Sequence, residues 1–175
     1  MIVSFDIGIK NLAWCVFEPT INPLTFVSGG VTSICNTKKR TTALLVQNFV
    51  KWLQNEGPKI TKDTVVLCEQ QLGRASVNKN LSMALLSYCT IMGAVCKFVT
   101  SNNKFTGLPD FLFPSCVDKT SICDQSYAKR KQASVYIMLH TKITKAVEIA
   151  NKLKKKDDFA DAFCQAVFYL YKTFS

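Results

Sequence analysis

Ile2-Val3-Ser4-Phe5-Asp6-Ile7-Gly8-Ile9-Lys10-Asn11-Leu12-Ala13-Trp14-Cys15-Val16-Phe17 holds two apolar runs on either side of a turn signal. The first run, 2–7, is rich in β-branched residues and interrupted only by Ser4 and Asp6. Gly8 to Asn11 supplies the turn, and 12–17 is the second run, so the stretch reads as a β-hairpin. Pro19 and Pro23 break the chain after it. Residues 24–34 read as a third strand, with Gly29-Gly30 expected as a bulge or kink. Three strands in succession are expected to be antiparallel neighbours.

Beyond them the apolar period changes. Apolar residues at 45, 46, 49, 50, 52 and 53 mark a helix over 41–53, stopped by Gly57-Pro58. Residues 65–68 form a compact strand-length run with Glu69 directly behind it. Val77, Leu81, Leu85, Tyr88, Met92 and Val95 recur at steps of three and four and predict a second helix. Residues 97–100 are expected as the fifth strand, and 102–124 as a long connection. Residues 125–153 read as one long helix or two, and 157–174 as a last helix. The order β-β-β-α-β-α-β followed by helices predicts an α/β mixed sheet with helices packed on it.

At 175 residues, with 48% apolar and 19% charged types, the chain is expected to be a single domain spanning 1–175. The 22 basic residues against 12 acidic give a net charge of +10. That balance favours polyanions, nucleic acid first and an anionic membrane surface second. The eight cysteines contain no CxxC, and His140 is the only histidine, which argues against zinc. Most sit in apolar runs, where a free thiol acts as a small hydrophobe. With no basic leader before the first strand, the expectation is reduced thiols in an intracellular compartment, although one exposed disulfide stays open. The longest apolar stretch, 81–96, is short of the ~20 residues a membrane span needs, so no membrane is expected.

The scarce acids mark the site. Asp6 interrupts the first strand, Glu69 ends the fourth, and Asp157, Asp158 and Asp161 fall in the first turns of the last helix. If the first and fourth strands are neighbours, Asp6 and Glu69 converge, and the last helix adds two carboxylates from the side. Spacing alone allows either Asp157 or Asp158 to share a helix face with Asp161. Four carboxylates without histidine suit Mg²⁺ or Mn²⁺. Two such ions ~4 Å apart can clamp the attacking water and the leaving oxygen of a phosphodiester. Each acid alone also has an ordinary reading: first-turn aspartates cap helices, and a glutamate can mark where a strand meets solvent. The joint pattern is what points to chemistry.

Three ordered motifs carry a resemblance. Ser4-Phe5-Asp6-Ile7-Gly8-Ile9-Lys10-Asn11-Leu12-Ala13, Leu67-Cys68-Glu69-Gln70-Gln71 and Lys155-Lys156-Asp157-Asp158-Phe159-Ala160-Asp161-Ala162 resemble the motifs of Holliday junction resolvases of the ribonuclease H-like superfamily. The last is similar to the poxvirus and fungal mitochondrial branches, and the length and overall cast most resemble the poxvirus one. The resemblance implies a ribonuclease H-like five-stranded sheet, three strands antiparallel and then parallel ones, flanked by helices. It also implies a homodimeric endonuclease of DNA recombination and repair that cuts four-way junctions in paired nicks with two Mg²⁺ or Mn²⁺ per site. In poxviruses such an enzyme processes concatemeric replication intermediates in the host cytoplasm. By motif position the catalytic and metal-binding acids are Asp6, Glu69, Asp158 and Asp161, and Asp157 falls to capping or to support.

Weaker expectations attach to other residues. Gly8 either permits a tight turn beside the metals or is an ordinary hairpin glycine. Lys10 and Asn11 could touch the scissile strand. Lys155 and Lys156 could counter charge on the phosphate, and Lys129, Arg130 and Lys131 could bind DNA arms, each against the plainer reading of a solvated lysine run. Phe105, Phe111 and Phe113 could stack on unpaired bases or simply anchor a loop. Two other functions compete: a nuclease acting on RNA/DNA hybrids or on flapped or branched DNA, and a nucleic-acid-binding module without chemistry.

Overall fold

A computed structural model of the chain describes residues 1–35, 41–71, 76–100, 105, 108, 112, 126–141 and 143–175. Five strands, β1 (Ile2–Asp6), β2 (Leu12–Ile21), β3 (Leu24–Thr32), β4 (Val65–Glu69) and β5 (Val95–Val99), form one sheet in the order β3-β2-β1-β4-β5. β1 to β3 pair antiparallel, while β4 joins β1 and β5 joins β4 in parallel. Helices α1 (Thr42–Asn55) and α2 (Ser76–Ile91) flank one side. Helices α3 (Tyr127–His140), α4 (Thr144–Lys152) and α5 (Asp157–Phe174) cover the other. The expected mixed α/β sheet is present, with three antiparallel strands, then parallel ones.

The central strands are apolar in near-continuous runs because helices bury both faces. Side chains alternate across a strand, so parity decides which core each joins. Val3 and Phe5 of β1 and Val66 and Cys68 of β4 pack with Leu45, Phe49, Leu81 and Leu85 of α1 and α2. Ile2 and Leu67, of opposite parity, pack with Phe159, Phe163 and Val167 of α5. Asp6 shares parity with Ile2 and Ser4, and Glu69 with Leu67. Both therefore emerge on the face that α5 covers, and this fixes the site.

Several boundaries differ from the sequence reading, each for a physical reason. Pro19 does not break the chain but lies inside β2, where pairing with β3 is irregular between Phe17 and Ile21, so its missing N–H forfeits no ladder bond. The bulge in β3 falls at Val27, between the pairs Val16–Ser28 and Phe17–Phe26, whereas Gly29 and Gly30 pair in register with Cys15 and Trp14. α2 ends at Ile91, where Ala94 N–H bonds back to the Cys89 carbonyl, and Val95 opens β5 instead of continuing the helix. Residues 125–153 form two helices. Phe105 is buried in the core with Leu108 and Leu112, an anchor and not a base-stacking surface. Phe111 and Phe113 lie outside the described residues.

Gly29 is needed for close approach. A Cβ there would stand 2.8 Å from Phe159 Cε2 on α5 and 2.8 Å from the Trp14 carbonyl oxygen. The ring can repack, but the carbonyl belongs to the ladder and cannot yield. Gly29→Ala is expected to cost about 1–3 kcal/mol, as overpacked cores do, measured by urea denaturation. Stability equal to wild type would show that α5 can shift away from the sheet at this point.

Candidate active site

β1 and β4 run side by side, with Phe5 opposite Cys68, so Asp6 and Glu69 follow one step further along adjacent strands. α5 is fastened over them. Gln165 is buried and donates to Ser4 Oγ at 3.0 Å and to the Phe5 carbonyl at 3.5 Å, and Cys15 Sγ donates to the Ala162 carbonyl at 3.2 Å. Held there, the first turns of α5 bring Asp158 and Asp161 to the same place. Asp6, Glu69, Asp158 and Asp161 all line one open cavity of about 450 Å³. Its rim carries Lys10, Asn11, Gln70, Gln71, Asn78, Arg130 and Lys155. At Gly8 a Cβ would come within 2.7 Å of the Asn11 carbonyl oxygen, so the turn that forms this wall depends on the absent side chain.

Lys131 is the residue that sequence reasoning misplaced. It does not stand with exposed Lys129 on the surface but reaches into the acids with only 12% of its side chain exposed. Its Nζ lies 2.8 Å from Asp158 Oδ1, 3.2 Å from Asp161 Oδ2 and 3.2 Å from Asp157 Oδ2. Buried Ser134, one turn along α3, donates to Asp161 Oδ1 at 2.6 Å. A usable signal was present: Lys131, Ser134 and Met138 succeed one another at helical spacing on the buried side of α3, while Lys129 and Gln132 fall off it.

Of the remaining predicted residues, Lys155 Nζ lies 3.0 Å from Asp158 Oδ2 and 3.3 Å from Asp157 Oδ2. Lys156 occupies the N-cap position of α5 and turns toward Asn151, donating to its Oδ1 at 2.9 Å. Asp157, in the first turn of α5, does not make a side-chain cap; it pairs with Lys131 and Lys155. Asn11 and Lys10 line the cavity.

The charge state reflects this packing. Burial first, and then the charges of Glu69 and Asp161, push the Asp6 carboxyl up to about 8. Burial works against ionised Asp158 too, but hydrogen bonds from Lys131 and Lys155 hold it below the usual carboxylate range. Lys131, despite burial, is held protonated by Asp161 and Asp158.

The four acids of the cavity offer oxygen donors, and no histidine or cysteine lines it among the described residues, which suits a hard divalent ion. Asp6, kept mostly protonated at neutral pH by burial and then by the charges of Glu69 and Asp161, is a carboxylate whose ionised form a further cation would favour. Among the described residues, no three Asp, Glu, His or Cys side chains already stand close enough to chelate one ion. The ammonium of Lys131 holds the places between Asp158 and Asp161. The donor set therefore fits Mg²⁺ or Mn²⁺ in chemistry, and Asp6, Glu69, Asp158 and Asp161 are the residues that could hold it.

Comparison with known proteins agrees with this architecture. Residues 111–173 match the family model described as Poxvirus A22 protein. No curated protein sequence matches the chain. The crystal structure of the Fowlpox virus resolvase with substrate Holliday junction DNA is similar over 99% of both chains, at 20% identity and a TM-score of 0.67. RuvC of T. thermophilus in complex with a Holliday junction substrate is similar over 98% of this chain and 93% of that one, at 13% identity and a TM-score of 0.62. The fold is shared with both. The family match and the fold together support the resemblance to the poxvirus branch read from the motifs. Among the described residues no helix is long and apolar enough to cross a membrane.

Proposed function

We propose that this chain is a metal-dependent endodeoxyribonuclease that resolves four-way DNA junctions. The observation that carries the reading is the meeting of Asp6, Glu69, Asp158 and Asp161 in one cavity of a protein whose net charge is +10. Such a cavity repels phosphate unless cations intervene, while the surrounding surface attracts it. Two Mg²⁺ or Mn²⁺ ions, when bound, supply Lewis acidity to the scissile phosphate and lower the pKa of an attacking water. The chain's residues do the rest. Asp6 and Glu69 approach from the sheet and Asp158 and Asp161 from α5, so these residues would hold an ion from two packed elements. Lys10, Arg130 and Lys155 on the rim hold the phosphates of the strand entering the cleft.

One cavity cuts one strand, so paired nicks require two copies. Met83 and Ile91 of α2 and Val95 and Phe98 of β5 are apolar side chains left in solvent and available to a second copy. The motif resemblance, together with the match to a poxvirus family model, is the ground for proposing a role in poxvirus replication, resolving concatemeric intermediates in the host cytoplasm, with recombination and repair of branched DNA as the wider setting.

The deciding experiment is a gel assay of purified protein on a synthetic mobile four-way junction, beside an RNA/DNA hybrid, a flap and linear duplex, with and without Mg²⁺. Symmetric nicks across the junction, dependent on the ion, are expected. Hybrid or flap cleavage alone would reassign the substrate, and binding without cleavage would leave only a binding module. The basic residues also give a quantitative expectation. Lys10→Ala and Lys129→Ala should each weaken junction binding and reduce the slope of log affinity against log salt by about 1 per lost phosphate contact, followed by fluorescence anisotropy. An unchanged slope for either would place that lysine away from the DNA.

A further inference from the structure

Every carboxylate oxygen of Asp158 and Asp161 already has a donor. Lys131 Nζ contacts Asp158 Oδ1 and Asp161 Oδ2, Lys155 contacts both oxygens of Asp158, and Ser134 donates to Asp161 Oδ1. These are the oxygens a divalent ion needs. Lys155 is 57% exposed and can leave into solvent, but Lys131 is enclosed. It also borders a second cavity, a largely apolar groove lined by Gln132, Val135, Tyr136, Leu139, His140 and Asp157. Lys131 is the residue that lines both the acidic cavity and this groove, and Asp157 Oδ2 already touches its Nζ at 3.2 Å.

We propose that Lys131 is a resident cation that occupies the metal-holding carboxylates of the free protein, and that Asp157 is the carboxylate that retains its ammonium when divalent ions displace it. This rests on the reading of the cavity as a divalent-ion site. A lysine can make this exchange because its charge sits on a flexible four-carbon stem with three rotatable donors. It can trade one carboxylate for the next without leaving the protein. The exchange makes the competent site a minor state of the free protein, which weakens apparent ion affinity by the fraction available. DNA phosphate entering the cavity gives the displaced ammonium another anionic partner. Ion uptake and DNA binding then strengthen one another, as linkage requires. Asp157 thereby acquires a role that neither capping nor ion holding supplies.

The test measures Mn²⁺ binding to the full chain without DNA, by electron paramagnetic resonance. Lys131→Met is expected to tighten binding by about tenfold or more. Lys155→Met, which removes the same charge from beside Asp157 and Asp158 at an exposed position, should change it less than about threefold. Asp157→Asn should weaken binding in the wild-type background and leave it unchanged in the Lys131→Met background, because Asp157 acts through Lys131. Equal effects of Lys131→Met and Lys155→Met would reduce the first part to simple charge removal and overturn it. An Asp157→Asn effect of the same size in both backgrounds would overturn the second. Should Lys131→Met not fold, the ¹⁵N ammonium resonance of Lys131 in the wild-type protein decides. It should shift along a saturating curve as Mg²⁺ is added, and an unmoved resonance overturns the proposal. Failure to bind Mn²⁺ in every variant would sink the proposal and the reading of the cavity together. Normal Mg²⁺-dependent junction cleavage by wild type with no tightening in Lys131→Met would sink the proposal alone.

Discussion

Asp161→Asn and Asp158→Asn are each expected to lower the single-turnover rate of junction cleavage by at least about 100-fold while junction binding survives. The asymmetry follows from what the amide removes. Asp161 is 5% exposed, with Oδ1 engaged by Ser134 and Oδ2 by Lys131. An asparagine keeps the shape but loses the charge and replaces one acceptor with a donor, so one side of any ion would face an N–H₂ group. Binding survives because the lost charge was repelling phosphate. Asp6→Asn and Glu69→Gln should behave alike, since these acids line the same cavity from the sheet. Asp157→Asn should cost about tenfold or less, because Asp157 touches the lysines and does not line the acidic cavity. The measurement pairs rapid-quench cleavage in Mg²⁺ with a mobility shift in its absence. A near-normal rate in any of the four variants would remove that residue from the ion-holding set. A loss in Asp157→Asn equal to that in Asp158→Asn would transfer the assignment to Asp157.

The fold was legible where local patterns agreed with tertiary demands. β1, β2 and β4 stand out because strands buried on both faces must be apolar throughout, which makes Asp6 conspicuous and puts Glu69 at a strand end. The convergence of β1 and β4 was stated only as a condition, because strand neighbourhood is not a local property; the parallel ladder supplies it. The bulge at Val27 escaped notice because glycines advertise conformational freedom, whereas Gly29 is there for the space that Phe159 fills. Asp157 against Asp158 was undecidable from spacing, since both share a face with Asp161. The rotation of α5 on the sheet, fixed by Gln165 and Ala162, separates them. Lys131 was hidden by its neighbours. In the run Lys129-Arg130-Lys131 composition reads as a solvated cluster, and only the helix period assigns the third residue to the buried side. The motifs that carried the resemblance do not extend to α3, so nothing in them pointed to a lysine 27 residues upstream of Asp158.

The same acids set an expected stability effect. Asp6 has its carboxyl raised from the ordinary 3.8 to about 8, chiefly by burial and then by Glu69 and Asp161. Between those two values the native state holds a proton that the unfolded chain has released. Unfolding therefore releases a proton, and the stability of the ion-free protein falls as pH rises from about 4 to about 8, then levels. Asp158, held low by Lys131 and Lys155, acts in the opposite sense, but its contribution is lost only as pH falls below the ordinary carboxylate value, outside this window. The wild type minus Asp6→Asn difference isolates the effect of Asp6, since groups common to both proteins cancel. The variant is expected to be more stable at pH 8 by on the order of 5 kcal/mol, and the difference should shrink toward pH 4. For a chain of this size that is roughly 10–20 °C in Tm at pH 8. Saturating Mg²⁺ should close the gap from the wild-type side, because an ion held by Asp6 stabilises its charged form and binds only the folded chain. Thermal melts of both proteins across pH 4–8 in chelator, repeated in Mg²⁺, read all of this. A wild type as stable as Asp6→Asn at pH 8 in chelator would mean that Asp6 is ionised without penalty, and that the cavity has no excess of negative charge for a metal to relieve.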